Sequence, residues 1–216
     1  MHMTSRARTS TIVLALLSGA AGCVPAPHSF KGGPLPGGWR VAILPLANYT
    51  ATREAPDRVL PMLAEAVGRQ PGIQVVDPGE VQAVLSNEPW LLLDRVPPDL
   101  VDRFGRDLKA NALLMGSILG YGFRDVGGEH IPQLSLSLRL VETPGGRVLW
   151  TSVHSRDGAD NEWLFGLGRV LSLEQLASAA VREMMVEFPV AGAVTPVDSL
   201  TPEMQRRESV ARRGNP

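Results

Sequence analysis

Hydrophobic and polar residues alternate with different periods along this chain, and each period predicts a different element. Residues 40–46 are almost continuously apolar, as in a strand buried on both faces, and Pro45 should end it because proline cannot donate to a ladder. Leucines alternate with polar residues over 134–140, which is the period of a half-buried strand. Thr143–Gly146 is typical turn sequence, so residues 147–155 should return as the partner strand.

Amphipathic segments predict four helices, at 58–69, 79–87, 97–109 and 173–188. Pro61 is compatible only with the first turn of the first helix, and Ser172 has capping-box spacing to Gln175 at the start of the last. Apolar runs at 73–77 and 111–121 predict two further strands. The element order is β-α-β-α-α-β-β-β-α. The fold class is therefore α/β, a mixed sheet with helices packed on it in two or three layers.

Both ends of the chain lack these periods. Residues 23–39 are rich in proline and glycine and are expected to form a flexible tether. Residues 189–216 contain several prolines and a charged end, and we expect a poorly ordered tail. Residues 40–188 are then expected to form a single α/β domain. Residues 1–22 show neither a strand nor a helix pattern of that domain.

Residues 1–22 have the pattern of a secretory signal peptide, because two arginines precede a short apolar run that ends in small residues. The run is about half the length of a spanning helix. Ala20-Ala-Gly-Cys23 resembles the lipobox of bacterial lipoproteins, which implies that Cys23 carries palmitate and becomes the new N-terminus. Val24 lacks the aspartate of inner-membrane retention, so the resemblance implies an outer-membrane anchor facing the periplasm. An ordinary cleaved signal with a chance cysteine is the alternative.

Charge and cysteine content narrow the classes of partner. Removing the two arginines of the signal leaves 19 basic residues against 22 acidic ones, a net charge of −3. A nucleic-acid binder would show a basic patch or stripe, so no nucleic acid is expected. Cys23 is the only cysteine, so no disulfide can form within one chain, and stability has to come from an apolar core.

Four segments together resemble a known group of envelope proteins. Val41-Ala-Ile-Leu-Pro-Leu-Ala-Asn48, Ile73–Asp77, Leu108–Ser117 and Leu138–Trp150 follow one another as do the strands of the curli-secretion lipoprotein family (CsgG-like). Lipoprotein activators of penicillin-binding proteins and domains like the amino-terminal domain of TolB share this pattern. The resemblance covers about residues 40–188 and implies a fold and an envelope-associated role, without implying a pore or a particular partner.

Candidate catalytic and metal-binding residues are few. His154-Ser-Arg-Asp157 contains the residue types of a hydrolase triad, but adjacent strand residues point to opposite faces, and we interpret the segment as a polar strand end. His130 and His154 have no carboxylate or cysteine at metal-ligand spacing, so neither a metal nor a cofactor is expected. The glycines of Gly116–Gly122 suggest a bulge or a close backbone approach rather than a phosphate loop.

Aromatic residues in two connecting segments are the candidate partner surface. Trp163, Leu164 and Phe165 precede the last helix, and Trp90 lies between the second and third. They either anchor a protein partner or fold back onto the sheet. We therefore expect a non-enzymatic outer-membrane lipoprotein that docks onto secretion or cell-wall machinery. A periplasmic ring or scaffold formed by self-assembly, without its own pore, is one alternative, and a small hydrolase or ligand-binding enzyme is another.

Overall fold

The computed structural model describes residues 28–31, 38–87, 96–160 and 168–189, with residues 28–31 described as backbone alone. Their main feature is one mixed sheet with four helices, so the predicted α/β class is confirmed. The strands in chain order are β1 His28–Lys31, β2 Trp39–Ile43, β3 Ala47–Asn48, β4 Ile73–Val75, β5 Ala112–Val126, β6 Glu129–Glu142 and β7 Val148–Asp157. The helices are α1 Ala55–Gly68, α2 Pro78–Leu85, α3 Pro98–Asp107 and α4 Leu173–Val186.

The sheet has the strand order β1-β7-β6-β5-β2-β4, and β3 pairs with β5 beside the end of β2. β2 is parallel to both of its neighbours, whereas β5, β6 and β7 form an antiparallel meander. The predicted order of elements is confirmed, and two strands are added to it. One of them, β1, lies within the predicted tether and pairs with β7 from His28 to Lys31. Pairing with β7 uses backbone groups and does not require particular side chains. A strand of four residues is also too short to show a hydrophobic period.

Helices cover the sheet on both faces, which makes three layers. α1 and α4 pack on one face over a core that includes every leucine of the 134–140 alternation. α2 and α3 pack on the opposite face over a smaller core that contains Leu113, Met115 and Phe104. The predicted strand alternation is confirmed, because Leu134, Leu136, Leu138 and Leu140 are all buried while the residues between them are partly exposed.

The first helix begins earlier than the sequence pattern predicts. α1 starts at Ala55, with Pro56 in its first turn, so Pro61 lies in the helix interior and the prediction that it occupies the first turn is wrong. Proline there removes one backbone hydrogen bond. The helix continues because its apolar face is fully buried, and burial of that face outweighs the local cost. The predicted cap of the last helix is confirmed, since the Ser172 hydroxyl accepts a hydrogen bond from the Gln175 backbone N–H at 3.4 Å.

The two turns of the meander lie at opposite ends of the sheet and have different surroundings. The β6–β7 turn, Thr143–Gly146, packs against α3, and we call its side of the sheet the fixed end. There the Thr143 hydroxyl donates to the Ala110 carbonyl, and the Gly145 N–H donates to an Asp102 carboxylate oxygen at 2.8 Å. A Cβ on Gly105 of α3 would lie 2.4 Å from the Thr143 Cβ, so helix and turn are in close contact.

The β5–β6 turn, Gly127–Gly128, lies at the other end, which we call the hairpin end. Both glycines have positive φ, 61° and 88°, and neither has a neighbouring atom where a Cβ would stand. The hairpin is longer than predicted, because β5 continues from Tyr121 to Val126 and β6 begins at Glu129. Residues 123–130 are all exposed, so they carry no core alternation. Gly127–Gly128 is the sequence signal that could have predicted this hairpin, because Gly-Gly is typical of two-residue hairpin loops.

Among the residues described, no helix is both long and apolar enough to cross a bilayer.

Candidate functional site

The residues singled out from sequence fall outside the part of the chain that the structure describes. This holds for Cys23, Trp90, Trp163, Leu164 and Phe165. Their roles remain predictions, and the described residues around them supply the geometry that follows.

Exposed apolar side chains are concentrated at the hairpin end. Of the eight large hydrophobic residues that are exposed in the described regions, five lie there. Phe123 and Val126 belong to the hairpin and are 56% and 42% exposed. Leu119 and Tyr49 lie just below them. Leu171 follows Val170, whose N–H donates to the carbonyl of Gly158, the residue after β7. Single exposed apolar residues are ordinary, but a group at one end of a domain indicates a contact surface.

A β-bulge produces part of this surface. The register of β5 and β6 shifts between Ile118 and Gly120, which leaves Leu119 as the extra residue. Leu119 lines an open concavity of about 500 Å³ on the sheet face opposite α4, together with Ser135, Ser155 and Asp157. The Ser155 hydroxyl donates to the Ser135 hydroxyl at 2.8 Å across this face. The predicted bulge in Gly116–Gly122 is therefore confirmed. The predicted close approach is also present, since a Cβ on Gly116 would lie 2.1 Å from the Ser137 carbonyl oxygen.

A buried group of charged side chains lies under α4, at the β7 end nearest the hairpin end. The ring nitrogen Nε2 of His154 lies 2.8 Å from Glu183, and the Arg156 guanidinium lies 2.5 Å from the other oxygen of the same carboxylate. Arg156 also pairs with Asp160 at 3.3 Å. This segment is the polar end of β7, as predicted, since the strand ends at Asp157. The burial of the His154 and Arg156 side chains was not predicted. The missed signal is the period of two from Trp150 through Ser152, which places both on the buried face.

This charged group lacks the geometry of a hydrolase site. Ser155 lies on the opposite face from His154, as the strand alternation predicted, and the Ser152 hydroxyl is buried with no hydrogen-bond partner in the described structure. His154 is therefore paired with a carboxylate but not with a nucleophile. Within the described residues, no group of three or more histidine, cysteine, aspartate or glutamate side chains is placed to hold a metal ion.

The same charged group fixes one side of the segment that contains Trp163. Asp160 is bound by Arg156 and accepts a hydrogen bond from the Asp157 N–H at 2.8 Å. On the other side, the Val170 N–H donates to the Gly158 carbonyl, and Arg169 pairs with Glu129 at 2.5 Å. Both sides of the 161–167 segment are therefore attached to the hairpin end of the sheet.

Charges at the hairpin end are largely compensated. Arg124 pairs with Asp157, and His130 pairs with Asp125. Below them, burial raises the pKa of the Tyr121 phenol, the carboxylate of Glu174 raises it further, and Arg58 opposes the shift. The phenol consequently stays neutral over the physiological range. The surface is apolar with paired charges rather than basic or acidic.

Comparisons with known proteins extend these observations to the fold. No protein-family model and no curated protein matches the chain. Among solved structures, the PelC dodecamer from Paraburkholderia phytofirmans is similar with a TM-score of 0.54 and 17% identity over 76% of this chain and 98% of that chain. Lipoprotein GNA1162 from Neisseria meningitidis has a TM-score of 0.48 and 20% identity over 67% and 96%. The LpoB C-terminal domain from Salmonella enterica has a TM-score of 0.42 and 15% identity over 56% of this chain and 84% of that chain.

The comparison with PelC shows that the chain shares its fold with a solved bacterial protein. At 17% identity the likeness concerns the fold alone. It does not single out the curli-secretion branch of the resemblance.

Proposed function

We propose that this protein is a non-enzymatic outer-membrane lipoprotein, anchored through Cys23, whose α/β domain docks onto secretion or cell-wall machinery in the periplasm. The observation that carries this proposal is the concentration of exposed apolar side chains at the hairpin end, in a domain whose buried charged group has no paired nucleophile. An enzyme would need convergent polar groups in an accessible pocket. A docking protein needs an exposed surface held by a rigid scaffold.

The anchor is tested by replacing Cys23. Cys23→Ser should abolish incorporation of labelled palmitate, because a serine hydroxyl does not replace the thiol that is acylated. Molecules whose signal is cleaved should then leave the membrane fraction, since acyl chains supply about 0.8 kcal/mol per buried methylene. Labelled palmitate in the Cys23→Ser protein would contradict the lipoprotein assignment.

The partner surface is tested at the segment attached to the hairpin end. Trp163→Ala combined with Phe165→Ala should reduce crosslinking to envelope proteins in the native cell, since aromatic anchors contribute about 2 kcal/mol or more to a complex. The thermal midpoint should change little. Val148→Ala, at an exposed residue of the fixed end, is the control and should leave crosslinking unchanged. A loss of several kcal/mol in the aromatic double variant would place both side chains in the core instead.

Self-assembly into a periplasmic ring is the second candidate. The solved PelC structure with this fold is a dodecamer, and that observation favours the ring. Gel filtration with light scattering of the detergent-solubilised protein separates the two proposals. A docking protein elutes as a monomer, and a ring elutes as a high-order oligomer of one size.

A further inference from the structure

The direction of the first strand determines which end of the domain the anchor leaves from. β7 runs toward the hairpin end, since Asp157 near its end pairs with Gln133, and β1 is antiparallel to β7. His28 is opposite Val153, which is opposite Ser137. The first residue of β1, where the tether attaches, therefore faces the hairpin end, the same end that carries the exposed apolar side chains.

The length of chain before β1 limits how far the anchor is from this end. His28 is the fifth residue after Cys23, so the two are at most about 18 Å apart when the chain between them is fully extended. In the same direction along the strands, the hairpin extends eight residues from Ser137, which is level with His28, to Glu129, or about 27 Å. The hairpin tip therefore extends about 9 Å beyond the farthest position of Cys23. Keeping the tip clear of the lipid would require the sheet to lean by roughly 45°.

The chemistry of the tip suits a lipid surface. Phe123 and Val126 are exposed on the two faces of the hairpin, and Gly127–Gly128 between the strands adds no side chain. Arg124, His130 and Arg169 are each paired with a carboxylate, so the tip presents no basic cluster for anionic headgroups. Its contact with lipid would be apolar.

We propose that the hairpin end contacts the bilayer surface and that Phe123 and Val126 enter the headgroup region. This inference rests on the lipid anchor of the proposed function. A protein partner on Phe123 and Val126 is the competing occupant, whereas Tyr49, Leu119 and Leu171 remain for the docking surface of the proposed function. The lipid surface is favoured because the tether is shorter than the hairpin. The tip therefore reaches the bilayer in every orientation in which the strands lean by less than roughly 45° from the membrane normal. Side chains at an interface of this kind penetrate about 5–10 Å, which matches the excess length of the hairpin.

A single-thiol experiment tests the proposal on the full lipidated chain. Lipidation leaves no thiol at Cys23, so Val126→Cys carries the only reactive one. An environment-sensitive fluorophore is attached there, and the protein is reconstituted in neutral phosphatidylcholine vesicles that contain lipids with a spin label near the headgroup. Val148→Cys is the control, since it is the same residue type, 40% exposed and at the fixed end.

We expect at least threefold more quenching at Val126 than at Val148, because only the hairpin end lies within about 10 Å of the headgroups. The difference should persist in high salt, since no charge attraction is involved. Phe123→Cys repeats the measurement on the other face of the hairpin. Equal, weak quenching at all three positions would overturn the membrane contact.

Failure of the anchor gives a different result. In the chain without an introduced thiol, labelling at Cys23 itself would show that the cysteine is not lipidated, and the protein would not remain with the vesicles. If the anchor is present and Val126 is unquenched in vesicles but shielded in native membranes, the tip binds a protein and the lipid contact is wrong.

Discussion

The two turns of the meander have opposite relations to the rest of the domain. At the fixed end, Thr143–Gly146 is held by a hydrogen bond to Asp102 of α3, by a second to the Ala110 carbonyl after that helix, and by the contact with Gly105. At the hairpin end, Gly127–Gly128 contacts nothing where a Cβ would stand, and the strands beside it expose Phe123 and Val126. Contacts that hold the turn in place are therefore found at one end of the strands. The other end is available for contacts outside the domain, and substitutions can separate the two roles.

Two phenylalanines give the largest expected contrast. Phe104, fully buried in α3, should cost about 3–5 kcal/mol of unfolding free energy when replaced by alanine, because a large cavity remains. Phe123→Ala should change stability by about 0.5 kcal/mol or less, since that ring is mostly in solvent. Denaturant unfolding followed by circular dichroism measures both. Similar losses for the two variants would show that the hairpin belongs to the cooperative core.

Two glycines give an intermediate contrast. Gly105→Ala should destabilise by about 1–3 kcal/mol, because the new Cβ would overlap Thr143, and the gain of about 1 kcal/mol in helix propensity is too small to compensate. Gly120→Ala is the control at the bulge, where the nearest atom would lie at an ordinary 3.4 Å. Its stability should stay within about 0.5 kcal/mol of the parent. The same denaturation assay applies, and an unchanged Gly105→Ala protein would contradict the close packing at the fixed end.

The smallest expected effect is a pH dependence at the start of α4. Glu174 has a lowered pKa because its carboxylate accepts a hydrogen bond from its own backbone N–H, then from Ser172, with a further contribution from Arg58. A lowered pKa stabilises the folded protein above the unfolded pKa, and this contribution is lost as pH falls through the folded value. Glu174→Gln should lower the thermal midpoint slightly at pH 7 and not at strongly acidic pH. A difference that persists in acid would mean that the charge is not responsible.

Most of the fold could be predicted from sequence because its elements bury one face each. The leucines of β6 alternate for that reason, and Ser172 caps α4 where its apolar period starts. The start of α1 was misplaced because Pro61 was expected to occupy the first turn, a local rule that burial of a long apolar face overrides. The distal hairpin and β1 were missed because neither buries a regular face against helices.

The candidate site was less predictable for a related reason. His154 and Arg156 are polar residues on a buried face. Asp160 pairs with Arg156 alone, and the carboxylate that pairs with both belongs to Glu183, 27 residues or more away in sequence. No local pattern links such distant partners. The exposed apolar surface has the same difficulty, since Leu171 is brought to the hairpin end only by the hydrogen bond between Val170 and Gly158.

The pairing of β1 with β7 also determines how a mechanical load would enter the domain. The tether attaches at His28, the end of β1 that faces the hairpin end, so tension from an anchor on that side would pull β1 lengthwise past β7. All hydrogen bonds of that short ladder would then be loaded together, in shear. A pull at right angles to the strands would instead break the hydrogen bonds of the ladder one after another.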